Sequence, residues 1–438
     1  MAAEILYSWG PGENRLALVR DGRLADLVLA RPDLLAGAVV LGRVVEVAPK
    51  LGAVFIDVGQ DKPAFLQGKG LTQGAAVLAQ VKADAQGGKG ATLTTDISLA
   101  GRFLSWSPGR PGLVVSRKLS DEKRERLLER LSPLVAEDEG VIVRTHAATA
   151  GDGVLEGEIA TLRAQWQAIV AAQAQGRAPA VLWRPDPLLR LLADNPGVSR
   201  VLVDDATLLG GARACFDGPV EHYRDGPLFD LYDAEDAIAA ALDPVVPLAC
   251  GGRVTIEPTA ALTAIDVDSG GASAIEANAQ AVAVIARQLR LRNIAGQIVV
   301  DFVSTGKGKG PLFKLVASLK QAVARDAVAT HVIGVTPLGL VELTRERKGP
   351  SLADLTQDRQ HGPSADAVAL SALRRVLAEA RARPGRALAL VVAPDVAAAL
   401  YYRSAAVAAA EERLGRKLAI RAEAGRARAD IGIEEQPA

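Results

Sequence analysis

Two aspartates stand two residues apart in Thr263-Ala264-Ile265-Asp266-Val267-Asp268, and a third, Asp301, closes the apolar run Gln297-Ile298-Val299-Val300-Asp301. Side chains alternate along a strand, so Asp266 and Asp268 share one face while Ile265 and Val267 share the other. An acid ending a buried strand sits at the rim of its sheet. Three carboxylates gathered at one rim repel each other unless a cation neutralises them, and an all-oxygen ligand set suits Mg²⁺ or Mn²⁺. The same spacing also suits a plainer role, in which Asp266 and Asp268 end a strand and cap the helix after it.

Three other places carry chemistry. In Val54-Phe55-Ile56-Asp57-Val58 the aliphatics share one face, which puts Phe55 with Asp57 on the wet one; Phe65 follows the turn 59–63, and Gly88-Lys89-Gly90 adds a cation on a loop. Aromatics on the outside of a small barrel stack single-stranded bases, although packing under a neighbouring domain would leave the same pattern. The strand Val141-Ile142-Val143 ends in Arg144-Thr145, a forked donor beside a hydroxyl that suits a terminal phosphate. An Arg at a strand end also serves as surface decoration. Gly306-Lys307-Gly308-Lys309-Gly310 lacks the spacing and the final Lys-Ser/Thr of a P-loop, which argues against nucleotide binding and for a basic loop facing RNA. Arg287, Arg290, Arg292, Lys307, Lys309, Arg345, Arg347 and Lys348 flank the acidic strands in sequence. Carboxylates ringed by cations suit a metal-dependent site that also holds a phosphodiester backbone.

The elements that must position these groups follow from periodicity. Residues 4–30 read as a meander too small to fold alone, and 38–97 as an OB-type barrel of short strands between Gly, Pro and Asp turns. Residues 98–178 combine a basic stretch, a charged helix from Asp121, the 141–145 strand, the loop Gly151-Asp152-Gly153 and a helix from Glu156. A strand near 200–204 and a helix near 234–242 complete the N-terminal sheet. From 244 to 352 strands and helices interleave, which implies a mixed sheet with helices on it. A polar linker at 353–368 leads to a small α/β module, 369–438, containing one long helix at 394–414. The class is α+β and multidomain.

At 438 residues the chain has room for two to four domains. With 49% hydrophobic and 23% charged residues it reads as an ordinary globular protein. Its formal charge is zero, so any nucleic-acid contact must come from local basic patches. Cys215 and Cys250 lack metal-ligand spacing and read as reduced thiols of a cytosolic protein. The start Met-Ala-Ala-Glu carries no basic and apolar signal, and no run of about eighteen apolar residues occurs. A soluble, cytoplasmic protein without a membrane span is expected.

Several stretches together resemble the ribonuclease E/G family. They are Gly251–Ile256 with Ala261–Asp266, Ala286–Arg292 with Ile298–Phe302, and Leu338–Arg347 before Pro350-Ser351-Leu352. Upstream, Leu41–Val44, Ala53–Gly59, Gly88–Ala91 and Leu93–Thr95 are similar to its OB-fold RNA-binding domain. The resemblance covers most of 1–352 and, loosely, the tail. It implies a ribonuclease H-like part (1–37 with 179–243), an OB-fold domain (38–97), a 5′-sensor domain (98–178), a deoxyribonuclease I-like catalytic part (244–352), the linker, and a small C-terminal domain. It implies an endoribonuclease of RNA processing and decay that cleaves single-stranded, 5′-monophosphorylated RNA. There Mg²⁺ on Asp266 and Asp301 activates water for in-line attack and leaves a 5′-phosphate, with Asp268 beside them. Phe55, Phe65 and Lys89 match RNA contacts, and Arg144 with Thr145 matches the pair that senses a 5′-monophosphate.

Four departures stand out. Asp268 replaces the family's Asn, the loop 270–274 is several residues short, and Thr336-Pro337-Leu338 replaces a segment with Arg and Phe. No CPxC stretch follows Ser351-Leu352, so no structural zinc is expected and any homodimer must be held without a zinc link. A rival reading is a catalytically weakened RNA-binding paralogue. A phosphatase- or polymerase-type two-metal enzyme also clusters aspartates, but an outward Phe55 on a barrel favours a polymeric substrate.

Overall fold

Alternation of apolar residues buries one face of a six-stranded sheet in the computed structural model, which describes residues 3–68, 70–86, 88–151, 153–306, 310–324, 326–358 and 362–436. Lys307 to Lys309 of the basic loop, Asp152 of the 151–153 loop and residues 359–361 of the linker lie outside the described residues. The chain divides into two units, Met1–Pro32 with Ser199–Arg213 and Gly218–Ala438, and Asp33–Val198 with Ala214–Asp217.

In the first unit the sheet runs in the order Val245–Pro247, Arg253–Pro258, Thr263–Asp268, Gly296–Asp301, Val341–Arg345, Thr330–Val335. Thr263–Asp268 and Gly296–Asp301 pair in parallel, and their other pairings are antiparallel. A parallel pair needs a long crossover, and helix Ala274–Leu291 supplies it. Ser273 starts that helix, its hydroxyl accepting the Glu276 N–H at 3.2 Å. Its stripe Ala277, Ala281, Ile285 and Leu289 packs with helix Gly310–Val323 on Ile265, Val267, Ile298 and Val300.

A second sheet orders Val220–His222, Val198–Val203, Ala3–Ser8, Asn14–Arg20 and Arg23–Ala30. The N-terminal meander is therefore completed by later sequence, as its size demands. The C-terminal residues form a three-stranded sheet around Leu388–Val392 with helix Ala365–Ala382 against it. The single helix expected at 394–414 is two, Pro394–Tyr402 and Ser404–Leu414. Arg403 leaves helical geometry at ψ 38° and turns its guanidinium onto Asp366, and the break lets Leu400 and Ala410 reach one core. Helix Leu352–Thr356, held by a Ser351–Asp354 capping box, occupies the start of the expected linker.

The second unit contains the barrel. Val39–Ala48, Ala53–Asp57, Ala64–Gln67, Thr92–Thr94 and Ala76–Ala83 pair in that order, and the last pairs back to the first. Closure leaves no free edge among these five. Directly after the turn 59–63, Ala64–Gln67 forms a further strand and places Phe65 in the barrel wall. Ala180–Trp183 pairs with Val39–Leu41 rather than with the N-terminal sheet. Beside the barrel, strands Leu104–Pro108, Gly112–Val115 and Glu139–Val143 carry helix Val154–Gln175 through Leu155, Ile159 and Leu162.

Candidate active site and nucleic-acid interface

Asp266 and Asp301 are register partners on the adjacent parallel strands. Their neighbours Ile265, Val267 and Val300 point into the core, so alternation sends both carboxylates to the opposite, solvent-exposed face. Thr255 lies across from Asp266 on the other side, which makes a row Thr255, Asp266, Asp301 on that open face. Among the described residues neither carboxylate has an ion-pair partner. Two like charges are thus held side by side by the sheet register, and among the described residues no basic side chain pairs with either.

Asp268 is spent differently. Its Oδ2 sits 2.6 Å from Arg253 Nη2, its register partner, and its Oδ1 accepts the Gly270 N–H at 2.8 Å. It ends the strand and holds the turn. Backbone packing there requires glycine: a Cβ on Gly252 would meet the Asp268 carbonyl oxygen at 2.4 Å, and Gly270 (φ +55°) approaches the Gly251 carbonyl as closely. Among the described residues no group of three or more His, Cys, Asp or Glu is spaced to hold a metal ion, and the register pairs two carboxylates, Asp266 and Asp301, on the open face.

On the barrel, Phe55 and Phe65 are register partners with ring centroids 6.0 Å apart, edge to face. Val54, Ile56, Ala64 and Leu66 fill the interior, so both rings lie on the outer wall, half-exposed. Lys89 is exposed at the tip of a hairpin where it and Gln86 exchange backbone hydrogen bonds. Arg144 Nη1 donates to Asp194 at 3.2 Å, and the Thr145 hydroxyl lies 2.8 Å from that of Ser116. Arg144 is partly buried and Thr145 is exposed. No geometry brings Cys215 into chemistry: burial pushes its thiol up to about 12, with Asp186 adding to the effect.

The Ribonuclease E/G family model matches residues 98–348, more than half of the chain. Ribonuclease G of Escherichia coli (strain K12) is 32% identical over 399 residues, which cover 80% of this chain and 81% of that protein. The chain belongs to the ribonuclease E/G family. Ribonuclease G of Haemophilus influenzae is 30% identical over 406 residues, 82% of each chain. Ribonuclease E of a Nostoc strain is 34% identical over 382 residues, 78% of this chain and 56% of that relative. The span matched by the ribonuclease E/G family model contains Arg144, Thr145, Asp266, Asp268 and Asp301.

Among the described residues, the cations expected around the carboxylates are engaged elsewhere, while Lys307 and Lys309 lie outside the described residues. Arg287 Nε donates to the Leu24 carbonyl at 2.7 Å, and Arg290 pairs with Asp26 at 2.8 Å, both toward the N-terminal sheet. Arg292 is buried with its Nε on Gln288, and burial pushes its pKa down to about 10. Arg345 and Asp326 form a pair only 3% and 4% exposed. Arg347 donates to the Ala295 carbonyl and Lys348 lies 3.6 Å from Glu346. A helix side facing a second sheet cannot also face solvent, so nearness in sequence misled. Two residues of this family member escaped the sequence pattern, Arg253 and Asn278. Asn278 could have been found as a polar residue at the helical spacing of the apolar stripe Ala274, Ala277, Ala281 and Ile285.

Proposed function

We propose that this endoribonuclease cleaves RNA on the open face of the six-stranded sheet, at a divalent cation held by Asp266 and Asp301. The chain is a hydrolase acting on RNA, in RNA processing and decay. The observation that carries the site is the parallel register of Asp266 with Asp301 on a face open to solvent. Two exposed carboxylates that no described basic side chain pairs with suit Mg²⁺, which keeps waters and accepts substrate phosphate in its remaining positions; Mn²⁺ suits the same donors. When bound, the metal supplies charge neutralisation and an activated water for attack on the phosphodiester, leaving a 5′-phosphate.

The chain's own residues hold the substrate. Phe55 and Phe65 offer edge and face to the bases of a single strand, Lys89 a cation to its backbone, and Arg144 with Thr145 a forked donor and a hydroxyl to a 5′-monophosphate. Asp268, neutralised by Arg253, sets the turn beside Asp266. The finer architecture follows the family: the N-terminal sheet is ribonuclease H-like, 98–178 a sensor domain, 244–352 deoxyribonuclease I-like, and 369–438 a small module. A homodimer would be held without a zinc link. Among the described residues no helix is long and apolar enough to cross a membrane.

The test is cleavage of a 5′-monophosphorylated oligonucleotide by wild type and Asp301→Asn, with chelator and with Mg²⁺ or Mn²⁺ restored. The variant is expected to bind RNA as wild type does and to cut nothing, and chelation to silence wild type reversibly. Cleavage that survives either change rejects the site. Wild-type binding with no metal-dependent cleavage favours the weakened paralogue.

A further inference from the structure

Strand Gly296–Asp301 stops pairing at Asp301, and the chain leaves the sheet through Phe302 and Val303. A strand end left to itself frays, because its next N–H and C=O have no ladder to join. Here both groups of Val303 are taken by one side chain. Asn278 Nδ2 donates to the Val303 carbonyl at 2.8 Å, and the Val303 N–H donates to Asn278 Oδ1 at 3.0 Å. The two bonds fix which end of the amide is nitrogen.

Asn278 is 1% exposed and stands on helix Ala274–Leu291 among Ala277, Ala281 and Val282. A polar amide in such a stripe is retained only where its partners are provided. The helix begins directly after the turn that Asp268 holds, so one rigid element is anchored on both sides of the carboxylate pair. About one turn from its start it grips the chain two residues past Asp301. Gln280, on the same helix, accepts the Cys250 N–H at 3.0 Å, next to the Gly251-Gly252 entry to strand Arg253–Pro258.

We infer that Asn278 is a positioning residue for cleavage: by pairing with Val303 it fixes the exit of the strand and so the place of the Asp301 carboxylate beside Asp266. The inference rests on the reading of Asp301 as a metal-holding carboxylate. Geometry of this kind sets rate more than affinity, since a displacement of about 1 Å at a reacting centre costs on the order of a hundredfold.

The experiment compares wild type, Asn278→Leu, Asn278→Ser and Asp301→Asn on one 5′-monophosphorylated oligonucleotide, measuring kcat, KM, the Mg²⁺ concentration for half-maximal rate, and Tm. Asn278→Leu removes both bonds while keeping the branched four-atom side chain, and Asn278→Ser leaves a shorter hydroxyl facing Val303. The expected result is kcat lowered about tenfold to a hundredfold in Asn278→Leu, a smaller loss in Asn278→Ser, KM for RNA unchanged, and a several-fold higher Mg²⁺ requirement. A role in packing alone lowers Tm and leaves kcat and the Mg²⁺ midpoint where they are, and that outcome overturns the inference. Should Asn278→Leu fail to fold, Asn278→Ser decides by the same readouts. Cleavage by Asp301→Asn instead sinks the catalytic reading itself, whatever Asn278 does.

Discussion

Phe55 stands opposite Phe65 on neighbouring antiparallel strands of the barrel wall, and the two rings meet edge to face outside the core rather than within it. The proposed RNA-binding role has this partly exposed pair stacking bases. Replacing Phe55 with Ala should weaken binding of a single-stranded RNA by about 1–3 kcal/mol, and Phe65→Ala by a similar amount. Fluorescence anisotropy at fixed salt measures this. An unchanged dissociation constant with a lowered Tm would assign the pair to packing.

Arg144 is shared. Its guanidinium holds Asp194 at 3.2 Å while remaining partly exposed, so in the proposed sensing role a 5′-phosphate would draw it from a weak, solvated partner. Arg144→Gln keeps a donor but loses the charge and the fork. It should bring the cleavage rates of 5′-monophosphorylated and 5′-hydroxyl oligonucleotides together, chiefly by slowing the former. If the rate ratio stays as in wild type, the pair does not read the 5′ end.

Arg290 tests whether the helix arginines serve the fold or the substrate. Its bond to Asp26 predicts that Arg290→Ala destabilises the protein by about 1–3 kcal/mol. The slope of RNA affinity against salt should not move, whereas Lys89→Ala should make that slope shallower by about one unit. A flatter slope in Arg290→Ala would return that residue to the RNA face.

Glu13 carries a pH dependence whose sign is set by its partners. Burial pushes its pKa up, but Arg374 at 2.8 Å and Arg31 at 2.6 Å more than offset that and hold it below its ordinary 4.5. The stabilisation is therefore complete above pH 4.5 and is lost as pH falls through the depressed folded value. Glu13→Gln should lower stability by about 3–5 kcal/mol near neutrality, since the partly buried Arg374 loses its carboxylate and the buried Arg31 is left with Asp366 alone as counter-charge. The loss should shrink on acidification, as urea unfolding at pH 7 and pH 3 would register. A pH-independent difference would mean that Glu13 is not the titrating group.

Much of this protein could be read along the chain because the decisive patterns are local. Period-two alternation in 263–268 dictates that Asp266 faces away from Ile265 and Val267, and the same logic turns Phe55 out of the barrel. Glycines at 251 and 252 and the run 286–292 carry the family resemblance without any fold in view. Registers and partners are another matter. That Asp301 aligns with Asp266, that Asp268 is claimed by Arg253, and that Asn278 closes on Val303 each depend on which strand lies next to which. The helix arginines show the same limit, since their apparent role changed once a second sheet was seen to cover them. A side chain's direction is set by its own backbone, which the sequence specifies; its partner is set by the packing of segments far apart in the chain, which only the tertiary structure decides.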